Sequence, residues 1–198
     1  MLELLALTSD ASAASDVAES LGGLSYRNHE TESDRRPYSG LIRVVTDRIE
    51  PLAEVADVGL YTAAARVIKA PSRPASPDRV VGSFGLVHHP DLSHTGADDH
   101  WRDLHGPLAL RCHAAMCDYT QLSIVAVHRG LELDGIALCA FDSRQDLRER
   151  FFNDDAARAE VEADVASFAD TTRSPRRVIL VQNPDNGRGE GVPGDRTR

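Results

Sequence analysis

Apolar positions fall in short bursts along this chain, and their spacing alternates between a period of two and a period near four. Residues 2–7 form an apolar run that ends at Thr8-Ser9-Asp10. Residues 11–21 suit a helix, with Val17 and Leu21 four apart on one face, and Gly22-Gly23 stops it. Residues 25–38, SYRNHETESDRRPY, are polar and read as a loop, in which an edge strand could hide although periodicity does not show one. The pattern then predicts a strand over 41–46, a short helix over 49–55 and a strand over 60–68. The segment APSRPASPD that follows has the proline and serine content of a linker.

The second half is more legible. Residues 80–87 read as a strand interrupted by Gly82 and Gly85, and 98–116 as a helix in two pieces divided at Pro107. Strands are predicted over 119–128 and 134–141, helices over 143–152 and 154–169, and a strand over 178–182. In the last helix Val161, Val165 and Phe168 share one buried stripe. Beyond it the chain turns polar and glycine-rich, as a tail does. The order strand, helix, strand, strand, helix, strand is ferredoxin-like. Such a sheet carries helices on one face, and its other apolar face needs a cover, which a second sheet packed against it would supply.

A candidate for that second sheet lies in the first half. Residues 39–47, SGLIRVVTD, repeat the pattern of residues 134–142, DGIALCAFD, and Leu52 sits where Leu147 sits, at the same offset of 95. Any strand followed by a helix gives a similar match. The expected fold is therefore α+β, a tandem pair of ferredoxin-like units with a degenerate first copy. Residues 1–70 form the first unit, 71–79 a linker, 80–182 the main domain and 183–198 a flexible tail.

Composition narrows the function. Apolar residues make up 41% of the 198, enough for a real core. Lys and Arg total 22 against 31 Asp and Glu, a net charge of -9. That balance disfavours nucleic acid, whose phosphates need a positive surface. The three cysteines, at 112, 117 and 139, show no CxxC spacing, so a reducing cytoplasm fits better than a disulfide framework. The N-terminus lacks the basic start of a signal peptide, and no apolar stretch reaches the roughly 18 residues of a membrane span. No dinucleotide fingerprint, phosphate loop or nucleophile elbow is present.

The densest chemistry is DDHWRDLHGPL, residues 98–108. Trp101 and His105 are four apart and share a helix face, which can set an imidazole beside an indole at a pocket. His105 reads either as a helix histidine capping a carbonyl or as a general acid–base group, since an imidazole of pKa about 6.5 suits proton transfer near neutrality. Asp98 and Asp99 read as favourable charges at a helix start. Tyr119, Gln121 and Ser123 alternate along one strand and face one way, either to solvent or into an interior where they would need partners or a ligand. His88, His89, His94 and His100 with nearby aspartates invite a metal reading, but no ligand spacing supports it. His113 stands without an evident partner.

These features together resemble the EthD family. They comprise His94 to Leu110 (HTGADDHWRDLHGPLAL), Tyr119-Thr120-Gln121, Asp134-Gly135-Ile136-Ala137, Phe141-Asp142-Ser143, Phe151 and the helix from Glu160 to Phe168 with Asp164 in it. The family's run of Trp-Arg, His, small residue and Pro corresponds to Trp101-Arg102, His105, Gly106 and Pro107, while the aromatic that precedes the Trp is His100 here. The resemblance covers about residues 80–182. It implies a dimeric alpha-beta barrel with a largely apolar cavity, formed within one chain or by a homodimer. Relatives in that wider group include cofactor-free monooxygenases, cyclases and haem-dependent enzymes; the reading taken for this chain is a small apolar or aromatic ligand, His105 as the catalytic acid or base, and Trp101, Tyr119 and Gln121 as substrate-binding residues, with no cofactor or metal. Cofactor-independent oxidation or cyclase-type chemistry in catabolism would fit, and oxidation without a metal needs a substrate that forms a stabilised carbanion. The alternative is a non-catalytic binding or accessory protein of an oxidation system. Haem held by His105 is a further variant.

Overall fold

The computed structural model describes residues 1–29 and 36–183. Fifteen elements follow one another (β1 Leu2–Thr8, α1 Ala11–Ser20, β2 Leu24–Asn28, β3 Gly40–Val44, α2 Glu50–Val55, β4 Gly59–Lys69, β5 Val80–Leu86, α3 His94–His100, a π-helical turn Trp101–His105, α4 Gly106–Cys112, β6 Met116–Gly130, β7 Gly135–Phe141, α5 Arg144–Glu149, α6 Asp155–Phe168 and β8 Val178–Gln182). The eight strands close into one barrel in the order β1-β3-β2-β8-β5-β7-β6-β4. Every neighbouring pair is antiparallel.

This corrects the expected fold class. The two halves are not ferredoxin-like sheets stacked face to face with a degenerate first copy. Their edges join directly, β4 to β6 from Gly59↔Gly130 to Lys69↔Tyr119 and β2 to β8 at Tyr26↔Gln182 to Asn28↔Leu180. The apolar faces that seemed to need a covering sheet turn inward around a common axis, and closure removes the edges. The first half carries four strands and two helices of its own. Strand β2 lies in the segment read as a loop. Its sequence LSYRN has no clear alternation, yet Ser25 and Tyr26 are buried and the strand pairs on both sides.

The interior is filled by inward-facing side chains, among them Leu5, Leu7, Leu41, Tyr61, Leu122, Ile124, Ile136, Leu138 and Leu180. Tyr38 enters from the chain before β3, and its hydroxyl lies 2.6 Å from the Ser83 hydroxyl. Leu122 and Ile124 belong to this interior, so their neighbours Tyr119 and Gln121 face outward. Outside the barrel, α1 and α2 set Ala14, Ala18, Leu52 and Ala56 on Leu4, Ala6, Ile42 and Leu60 and fill their layer. Over β5, β6 and β7 the helices pack less completely and leave a cavity.

Several boundaries differ from the pattern. Helix α3 begins at His94, capped by Ser93, whose hydroxyl accepts from the Gly96 amide at 3.1 Å. Asp98 is therefore no first-turn charge; it forms a two-point ion pair with Arg66 at 2.6 and 2.7 Å. His88 and His94, two of the histidines that invited a metal reading, each turn Nδ1 to Asp134 at 2.8 Å. Of the expected tail, Asn183 donates from its backbone amide to Ser25, and the rest lies outside the described residues. Among the described residues no helix is long and apolar enough to cross a membrane, and no three His, Cys, Asp or Glu side chains gather as metal ligands would.

Candidate functional site

The site is built on the π turn. The Gly106 amide donates to the Trp101 carbonyl, one residue further along than in an α-helix. The wider turn brings Trp101 and His105 to the buried side together, while Arg102, Asp103 and Leu104 stay exposed. Pro107 sits in the first turn of α4, where no amide hydrogen is needed, so it opens that helix instead of breaking it.

Both buried side chains are held by polar partners. His105 turns Nδ1 to the Asp164 carboxylate at 2.7 Å. A carboxylate accepts, so Nδ1 carries the hydrogen and Nε2 of the neutral ring keeps a lone pair. Burial lowers the His105 pKa, and the Asp164 hydrogen bond and charge only partly offset it. The other oxygen of Asp164 lies 2.8 Å from His100 Nε2. Asp164 is presented by α6, which is preceded by Asp154, whose carboxylate caps the Ala157 amide, and packs Ala157 and Val161 against Leu108 and Cys112. Phe168 from the same helix lies beside both histidines, with ring centroids at 4.9 and 5.2 Å.

On the sheet side Trp101 donates from Nε1 to the Tyr119 hydroxyl at 3.0 Å. Gln121 donates from Nε2 to the same hydroxyl at 3.0 Å and to the Trp101 carbonyl at 2.9 Å. With two donors aimed at its oxygen, Tyr119 keeps its own hydrogen, which finds no acceptor among the described residues. Burial raises the Tyr119 pKa far above the usual phenol range, so it acts as a donor and not as a phenolate. Gly135 lets the indole lie against β7: a Cβ there would collide with the six-membered ring of Trp101. The Arg66 guanidinium covers the indole at 5.5 Å from its centroid.

A cavity of about 640 Å³ lies between this sheet face and helices α4 and α6. Trp101, His105 and Tyr119 line it with Phe84, Ala137, Phe151, Val165 and Phe168, and Cys139 adds a thiol whose pKa burial pushes up to about 12. Glu162, Thr171 and Arg176 contribute exposed side chains. Gln121 is fully buried and does not line the cavity; it stands behind Tyr119 and Trp101 and braces them. Thus three of the four expected site residues share one cavity and the fourth supports two of them. The structure adds Asp164, His100 and His113. Asp164 had a signal: it lies three residues after Val161 and four before Phe168, a carboxylate on an apolar stripe. His113 had none, because its partner Phe151 is remote in sequence.

The EthD domain family model matches residues 89–172, less than half of the chain. The fold is shared with two crystal structures. An anthrone oxidase-like protein is 14% identical, with a TM-score of 0.52 and coverage of 90% of this chain and 89% of that one. A candidate monooxygenase from Fusobacterium nucleatum subsp. nucleatum is 8% identical, with a TM-score of 0.54 and coverage of 91% of each chain. No curated protein matches the sequence.

Proposed function

We propose that the protein is an EthD-like enzyme that removes a proton from a small, largely apolar aromatic ketone and so prepares it for oxidation. One observation carries this reading: an apolar cavity holds a neutral histidine, fixed through Nδ1 by Asp164, and a tyrosine hydroxyl with a hydrogen to donate. His105 Nε2 takes the proton from a carbon next to the ring system. The electron pair stays on that carbon and spreads to the carbonyl oxygen, which accepts from Tyr119. Trp101 forms a wall, and Gln121 keeps Tyr119 in place. Dioxygen then adds at the carbanionic carbon, the peroxide anion takes the proton back from His105, and the hydroperoxide loses water with the remaining C–H proton to leave a second carbonyl. One methylene and one O₂ give one C=O and one H₂O. The names of the two structural neighbours, an anthrone oxidase-like protein and a candidate monooxygenase, are consistent with such a substrate and oxidant.

Anthrone is the probe, and deuterium entering its methylene from D₂O is the readout. The parent protein should exceed the buffer rate, and His105→Gln should lose about a hundredfold or more of that excess while binding anthrone as before. Binding without exchange in the parent would leave a carrier or accessory role, and no binding would overturn the substrate class.

A further inference from the structure

We infer that His113 is a specificity residue that accepts a hydrogen bond from a substrate hydroxyl where the cavity wall is formed by Phe151 and Phe152. The ligand class becomes a hydroxylated polycyclic aromatic ketone. This rests on the reading of the cavity as a substrate site.

His113 closes α4, is only 4% exposed and lines the cavity beside the rings of Phe151 and Phe152, whose centroids lie 4.5 and 5.1 Å away. Its Nδ1 is 2.5 Å from the Phe151 carbonyl. A carbonyl only accepts, so Nδ1 carries the hydrogen, and burial keeps the ring neutral. That leaves Nε2 an acceptor with no partner among the described residues, and Nε2 is the polar atom this side chain can offer the cavity. A ligand that displaces water from this wall strands the acceptor unless it brings a donor, so a donor-bearing ligand is favoured over one without.

His105 presents the same chemistry eight residues, or about two helical turns, earlier. The surface between them is mostly carbon, from Ala109, Phe151, Val165 and Phe168. Two lone-pair nitrogens about two helical turns apart in sequence on one cavity wall, with one donor from Tyr119, match a rigid apolar ligand longer than a single ring. It carries a carbonyl for Tyr119, an acidic C–H for His105 and a hydroxyl for His113.

The test is equilibrium binding of anthrone and its 2-hydroxy and 3-hydroxy derivatives, with the matching methoxy compounds as controls that lack the hydrogen. The parent should bind one hydroxy derivative about tenfold more tightly than anthrone and its methoxy analogue no more tightly. His113→Asn keeps a donor for the Phe151 carbonyl but leaves no acceptor at the Nε2 position, so it should bind anthrone, the hydroxy derivatives and the methoxy derivatives alike. His113→Gln, which restores an acceptor near Nε2, should recover part of the preference. Equal affinities in the parent, a preference that methoxy compounds share, or one that survives in His113→Asn would overturn the inference. The parent comparison holds even if the variants fail to fold. Failure of the catalytic reading shows separately, as preferential binding without deuterium exchange.

Discussion

The functional residues of the cavity are tuned by their neighbours, and the tuning predicts a pH profile. Burial lowers the His105 pKa, Asp164 raises it, and the His100 charge lowers it again. His113, Tyr119 and Cys139 are the other titratable side chains buried around the cavity, with Glu162 and Arg176 exposed. The acid limb of the exchange rate should therefore lie below the ordinary histidine value of about 6.5. His100→Phe, which restores an aromatic at that position, removes a competitor for Asp164 and should move the limb to higher pH. A rate profile that does not move would mean that His100 only packs on Phe168. His105 and His113 are both depressed, so the native state prefers them neutral. Their contribution to stability is present above about pH 6.5 and is lost as the pH falls below it. Tyr119→Phe leaves the Trp101 and Gln121 donors without their shared acceptor. It should cost about 1–3 kcal/mol in urea titration and slow exchange as well. Tyr119 and Gln121 were legible as a pair on one strand face, but not the direction of that face, because Leu122 and Ile124 could equally have met helices.

At the scale of elements, the turn that shapes the site could not be read from spacing. Residues four apart share a face in an α-helix and also in a single π turn, so Trp101 and His105 looked the same either way. What separates the two is the Gly106 amide reaching the Trp101 carbonyl, a contact supported from the sheet by Gln121. Gly135 completes the arrangement from β7. Gly135→Ala should push the indole away from the sheet and break its bond to Tyr119. Trp101 is the only tryptophan, so its emission reports the change directly. A red shift with reduced anthrone affinity is expected, and an unchanged spectrum would show that the indole has room to spare. Helix α6 was visible from its stripe, but the role of Asp164 on it was not, because its contact with His105 spans 59 residues. Strand β2 was not, because its burial depends on β3 and β8 and not on its own five residues.

At the scale of the whole molecule, closure decides what each half can be alone. Most strands and helices were legible one by one, yet no local pattern states that β4 will lie along β6 or β2 along β8. Those seams are tertiary facts, and they turn two apolar sheet faces into one interior. The layer over the first half is filled, so the barrel supplies a rigid wall while the second half carries the cavity. A fragment spanning residues 80–183 keeps every cavity-lining side chain but loses both seams. It exposes the β6 edge opposite β4 and the β8 edge opposite β2, together with Leu122, Ile124, Leu138 and Leu180 from the interior. Open edges beside an apolar face recruit other chains. The fragment should therefore elute as an oligomer or aggregate in size-exclusion chromatography with light scattering, and should bind anthrone only if two copies rebuild a closed sheet. A monomeric fragment that unfolds cooperatively and binds anthrone like the full chain would show that the first half is dispensable to the site.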